Sequence, residues 1–106
     1  MVFDYVPENG EVSRPAHAAD VPFVFGTLSA LGLTGPLVPT AADRAVSQTM
    51  MASWLAFASG GDPNGRAAPR WPRHDGTDPY LRVGVPTEAR SDFRRADCDF
   101  WDGLAR

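Results

Sequence analysis

Thr40 and Asp43 open the stretch that most constrains the fold. A threonine hydroxyl accepts from a first-turn amide, and a carboxylate three residues on favours the positive end of a helix, so the pair is an N-terminal capping signature. Val46, Met50, Trp54 and Phe57 then recur at helical spacing, with Met51, Leu55 and Ala58 beside them, until Gly60 and Gly61 stop the run. One helix with a broad apolar stripe follows, and the stripe requires a cover. Its methionines and aromatics read as core packing rather than as a cofactor box.

Val2, Phe3, Tyr5 and Val6 form a nearly continuous β-branched and aromatic run, ended by Pro7 and the Glu8-Asn9-Gly10 turn. This is the pattern of a strand buried on both faces, and such a strand needs sheet neighbours. The other plausible strand is Tyr80-Leu81-Arg82-Val83-Gly84, of alternating character, with an edge expected to face solvent. Residues 11–20 read as a loop carrying Pro15 and His17. Pro22 argues against a long strand in Val21-Pro22-Phe23-Val24-Phe25-Gly26, which reads as a short turn of helix or an extended buried segment. Residues 32–39, with two Gly and two Pro, read as connecting loop, and Asp62-Pro63-Asn64-Gly65 as a turn. Phe93, Ala96, Phe100, Trp101 and Leu104 stand at near-helical spacing and predict a closing helix.

Composition agrees with a loop-rich unit of one domain or less: 10 Gly and 10 Pro in 106 residues, 43% hydrophobic and 22% charged. A net charge of −3 leaves no basic footprint, so nucleic acid is not an expected partner. All ten basic residues are arginine, a bias to which no function is attached. Cys98 is the single cysteine, which rules out an intrachain disulfide and a CxxC zinc site and reads as a buried free thiol. No stretch approaches bilayer-spanning length, so no membrane partner is expected. The cytoplasm is the expected compartment, with any export signal placed upstream of Met1.

Two histidines are available for chemistry. His74, between Arg73 and Asp75 in a proline-rich turn, reads as a surface side chain without a role. His17 follows the predicted strand, and loops beyond the carboxyl ends of sheet strands are where α/β folds place their chemistry. Position alone leaves His17 open between a polar surface residue and a catalytic group.

The segment Ala16-His17-Ala18-Ala19-Asp20-Val21-Pro22-Phe23-Val24-Phe25-Gly26 resembles the catalytic-histidine region of type-B carboxylesterases. Further stretches resemble the C-terminus of the same family in the same order: Met50-Met51-Ala52-Ser53-Trp54-Leu55-Ala56-Phe57-Ala58, Gly61-Asp62-Pro63-Asn64-Gly65, Trp71-Pro72, Tyr80-Leu81-Arg82-Val83-Gly84 and Cys98-Asp99-Phe100-Trp101. Together they cover almost the whole chain, and bacterial esterases of the para-nitrobenzyl type are the nearest resemblance. The resemblance implies an α/β fold: residues 1–106 as the C-terminal portion of one α/β-hydrolase domain, truncated on its N-terminal side, with an incomplete sheet, two main helices and long loops.

The resemblance also implies ester hydrolysis by a Ser-His-acid triad in which this chain supplies only the general base, His17. An imidazole, with an ordinary pKa of roughly 6.5, takes a proton from a serine hydroxyl and returns it to the leaving alcohol near neutral pH. The serine belongs on a G-x-S-x-G elbow, and chain order in this fold runs serine, acid, histidine. No such elbow occurs here, since Ser29, Ser47, Ser53 and Ser59 lack the flanking glycines. The implied partners are a small-molecule ester and the missing N-terminal part of the domain; no cofactor and no metal are implied. Asp20 matches an acidic position of the family and is read as a hydrogen-bond acceptor organising the loop rather than as the triad acid. Arg14 and Ala18 stand where the family often has glycine. Cys98 matches a cysteine that is disulfide-bonded in some animal relatives and has no partner here.

Two other readings compete: a catalytically dead, cholinesterase-like interaction domain, and a stand-alone small domain. A G-x-S-x-G elbow encoded before Met1 separates the esterase from the first. A sheet complete within this chain is required by the second. On the esterase reading the isolated chain lacks cover for Phe3 and for the stripe at Trp54, so it is expected to be marginally stable and inactive on p-nitrophenyl esters.

Overall fold

The computed structural model describes residues 1–8, 14–30, 38–65 and 69–104. The expected turn at Asn9 and Gly10 and the loop through residues 32–37 lie outside the described residues. In chain order the elements are β1 (Val2–Phe3), α1 (Val21–Phe25), a 3-10 turn (Leu28–Ala30), α2 (Ala41–Gly60), β2 (Tyr80–Val83), β3 (Glu88–Arg90) and α3 (Arg95–Leu104).

The helix expected between Thr40 and Gly61 is α2, and its ends form for the expected reasons. The Thr40 hydroxyl accepts from the Asp43 amide at 3.2 Å, and the Asp43 carboxylate accepts from the Thr40 amide at 2.7 Å. This reciprocal capping box satisfies two donors that otherwise lack partners at a helix start. At the other end Gly61, in the left-handed region at φ +75°, returns its amide to the Phe57 carbonyl. The N-terminal half of the apolar stripe is buried: Val46 and Met50 join Tyr5, Phe23, Leu28, Leu81 and Val83 in one core. Each such side chain contributes about 1.5–3 kcal/mol of burial. The C-terminal half is open, with Trp54 38% and Phe57 60% exposed.

α1 resolves the choice left at residues 21–26 in favour of a helix. Pro22 sits in the first turn, where a missing N–H costs nothing, and Gly26 closes the element at φ +67°. A side chain at Gly26 would meet the Met51 sulfur of α2 at 3.0 Å, so the two helices approach closely there.

The sheet has the order β1-β2-β3, with β1 and β2 parallel and β2 and β3 antiparallel. Parallel pairing needs a crossover, and α1 and α2 lie between the two strands in sequence. β2 is therefore central, which corrects the expectation of a solvent-facing edge. Leu81 and Val83 point into the core, and the Arg82 guanidinium reaches Asp4 on the β1 side at 2.7 Å and Glu88 of β3 at 3.6 Å. β1 is shorter than the run of residues 2–6 and its residues are half-buried rather than buried on both faces. The Asp4 amide adds one more bond to the Val83 carbonyl at 2.9 Å. Gly84 lets the strands approach closely at this seam, since a Cβ would stand 3.2 Å from the Asp4 carbonyl oxygen.

α3 forms where the closing helix is predicted, but all its described side chains are exposed. Tyr80 meets Phe93 edge-on at 5.4 Å just ahead of it. Cys98, on α3, is exposed and free, not buried as expected, since all the described side chains of that helix face solvent.

Candidate functional site

His17 lies in the connection from β1 to α1, inside two successive turns. The Ala19 amide donates to the Ala16 carbonyl at 3.1 Å, and the Val21 amide to the Ala18 carbonyl at 3.2 Å. His17 and Ala18 are the two central residues of the first turn, and Ala18 takes φ +60°. A positive φ at the third residue of a turn normally falls to glycine, which has no Cβ to clash. The backbone thus shows why glycine suits position 18, and alanine holds the same conformation at a cost. The second turn runs straight into α1, and the His17 side chain is exposed.

Asp20 occupies the N-cap position of α1, yet its carboxylate caps no amide. Its φ and ψ of −75° and −26° are already helical, whereas a side-chain cap uses extended backbone. Its carbonyl does the organising instead, accepting from Phe23 at 3.0 Å and Val24 at 3.1 Å. The expectation of a loop-organising acceptor thus transfers from the Asp20 carboxylate to its main chain.

Below this loop, two side chains of α2 hold its flanks. On the entry side the Tyr5 hydroxyl donates to the Asp43 carboxylate at 2.7 Å, in a buried contact. Burial, reinforced by the Asp43 carboxylate that accepts its proton, pushes the Tyr5 phenol up to about 12. On the exit side the Ser47 hydroxyl donates to the Phe23 carbonyl at 2.8 Å. The rings of Tyr5 and Phe23 meet edge-on at 5.5 Å, with Phe3 5.2 Å from Phe23. Sequence reasoning gave Asp43 only a capping role and Ser47 none. The available signal was two polar residues four apart within the same stripe as Val46 and Met50, hence on the buried face.

The remaining hydroxyls and titratable groups lie elsewhere. Ser59 donates to the Leu55 carbonyl within α2. His74 is exposed, with Nδ1 4.0 Å from Asp78, beyond hydrogen-bond reach. Among the described residues no group of three or more His, Cys, Asp or Glu side chains could hold a metal ion. A separate apolar cleft of about 380 Å³ opens between Trp54, Phe57, Pro63 and Trp71, with Ser53 at its wall. The Asp62-Pro63-Asn64-Gly65 turn shapes it: the Asn64 side-chain oxygen accepts from the Trp71 amide at 2.7 Å and its nitrogen donates to the Trp71 carbonyl at 3.2 Å. Neither histidine lines the cleft.

A family model described as the carboxylesterase family matches residues 1–101. Carboxylesterase 3 of Homo sapiens is 34% identical over 107 residues, a match covering 93% of this chain and 19% of that protein. Liver carboxylesterase 1 of Mus musculus is 39% identical over 59 residues, covering 56% and 10%. Among solved structures, a PNB esterase superposes with a TM-score of 0.75 at 28% identity, over 92% of this chain and 19% of its own. A carboxylesterase of Geobacillus stearothermophilus gives a TM-score of 0.74 at 28% identity, over 93% and 20%. The chain spans about a fifth of the length of the relatives that match nearly all of it.

Proposed function

Because the chain belongs to the carboxylesterase family, we propose that residues 1–106 form the C-terminal part of one α/β-hydrolase domain that hydrolyses carboxylic esters, with His17 as its general base. The observation that carries this reading is the placement of His17: an exposed imidazole on a tight turn between β1 and α1, within the segment matched by the family model. A proton-transferring group must be reachable from the substrate side, and its turn must be fixed, because a general base works only within hydrogen-bond reach of the proton it takes.

In this reading the serine hydroxyl of an elbow outside these residues attacks the ester carbonyl and passes its proton to the His17 ring. The ring then protonates the departing alkoxide, leaving an acyl-enzyme. A water molecule, deprotonated by the same ring, attacks the acyl group, releases the acid and restores the serine. The triad acid also lies outside the chain, consistent with the order serine, acid, histidine. Ser47 and Ser59 fit this division, since both already donate to main-chain carbonyls. The substrate class is a small carboxylic ester.

The test is His17→Ala in the polypeptide that joins this chain to the serine-bearing part of the domain. Turnover of p-nitrophenyl acetate should fall by roughly 10⁴-fold or more, the scale on which single triad members are lost. Turnover equal to that of the unsubstituted protein would remove His17 from the chemistry.

A further inference from the structure

His17 itself is exposed, yet the chain leaves and re-enters the core at two buried polar bonds that fall on a single helix face. Tyr5 closes the entry through Asp43, and Phe23 closes the exit through Ser47. Asp43 and Ser47 are four residues apart, so they stand one above the other on α2. Both are almost fully buried, Asp43 at 0% and Ser47 at 2% exposure.

We propose that Asp43 and Ser47 are positioning residues for His17, a clamp by which one face of α2 fixes both ends of the loop that carries the imidazole. The inference rests on the reading of His17 as general base. Its exit side is the more direct. α1 has only five residues, so its carbonyls have few intrahelical donors, and Ser47 supplies one to Phe23. The His17 turn is then tied to α2 in three bonded steps: Val21 amide to Ala18 carbonyl, Phe23 amide to Asp20 carbonyl, and Ser47 hydroxyl to Phe23 carbonyl. On the entry side Asp43 also completes the α2 capping box, so the helix end and the loop end share one carboxylate. A group that acts through hydrogen-bond contact is sensitive to displacements of about 1 Å, which can cost about 10²-fold in rate.

The experiment compares Ser47→Ala, Ser53→Ala and His17→Ala in the same serine-bearing polypeptide. Ser53 is as buried as Ser47 and lies on the same helix, but the clamp does not use it. The expected result is a kcat for p-nitrophenyl acetate lowered about 10- to 100-fold by Ser47→Ala, with KM within about twofold. Ser53→Ala should leave kcat within about twofold. The clamp is overturned if His17→Ala abolishes turnover while Ser47→Ala keeps the original kcat, or if Ser53→Ala lowers kcat as much as Ser47→Ala. Full turnover by His17→Ala overturns the general-base reading, and the clamp with it. If Ser47→Ala does not accumulate as folded protein, Tyr5→Phe loosens the other end of the loop and is judged by the same kcat and KM criteria.

Discussion

Replacing Tyr5 by Phe isolates one buried hydroxyl. The ring keeps its edge-on contacts with Phe3 and Phe23, so packing is conserved while the 2.7 Å bond to Asp43 is lost. Asp43 is fully buried and retains the Thr40 amide as partner for its other oxygen. A hydrogen bond to a charged group contributes about 1.5–3 kcal/mol, and a buried acceptor left short of a partner loses a similar amount. Linkage sets the pH dependence, with burial the larger cause of the shift and the Asp43 carboxylate the next. The folded phenol titrates at about 12 against an ordinary 10, so the folded state holds its proton where the unfolded state has released it. A raised pKa contributes stability that is complete below pH 10 and is lost progressively as pH rises towards 12. Urea denaturation followed by tryptophan fluorescence should therefore show Tyr5→Phe less stable by about 2–3 kcal/mol at pH 8. The gap should narrow to about half at pH 11, because only the unsubstituted protein loses stability between. Equal stability at pH 8, or a gap unchanged at pH 11, would refute the bond as a stabilising contact.

Two backbone positions yield further expectations. Ala18→Gly relieves a left-handed residue beside His17 and should raise stability by about 0.5–1 kcal/mol, the left-handed cost less the entropy of a more flexible unfolded chain; an unchanged or lower Tm counts against the strained turn. Gly26→Ala places a Cβ at φ +67° and 3.0 Å from the Met51 sulfur, and should cost about 1–2 kcal/mol, seen as a lower Tm. The thioether can swing aside, so the larger share comes from the backbone.

The legible parts of the fold were those where local chemistry and tertiary demand agree. Thr40, Asp43 and the Gly60-Gly61 pair mark the limits of α2 because caps are satisfied by residues a few positions away. Leu81 and Val83 announce β2 by alternation. β3 was invisible: Glu88-Ala89-Arg90 has no β-branched or aromatic side chain, and it pairs through its main chain, with Glu88 between Arg82 and Arg90. The length of β1 was overstated because the apolar run outlasts the pairing. Tyr5 is buried beyond the strand end, held by Asp43 rather than by a sheet neighbour. Exposure along α3 was equally hidden, since periodicity states which side chains share a face and not what covers it. At the site, the resemblance singled out His17, while the supports beneath it were masked by their types. A serine or an aspartate inside a helix reads as propensity or capping until the partner, some 24 or 38 residues away, is known.

The parallel seam between β1 and β2 sets a timetable for synthesis. Asp4 and Arg82 stand 78 positions apart. A ribosome adding about 5–20 residues per second delivers the second strand roughly 4–16 seconds after the first. During that wait the side of β1 that β2 will occupy keeps its main-chain groups unpaired. A nascent chain of this kind completes the seam beside the His17 connection late, only once β2 has emerged.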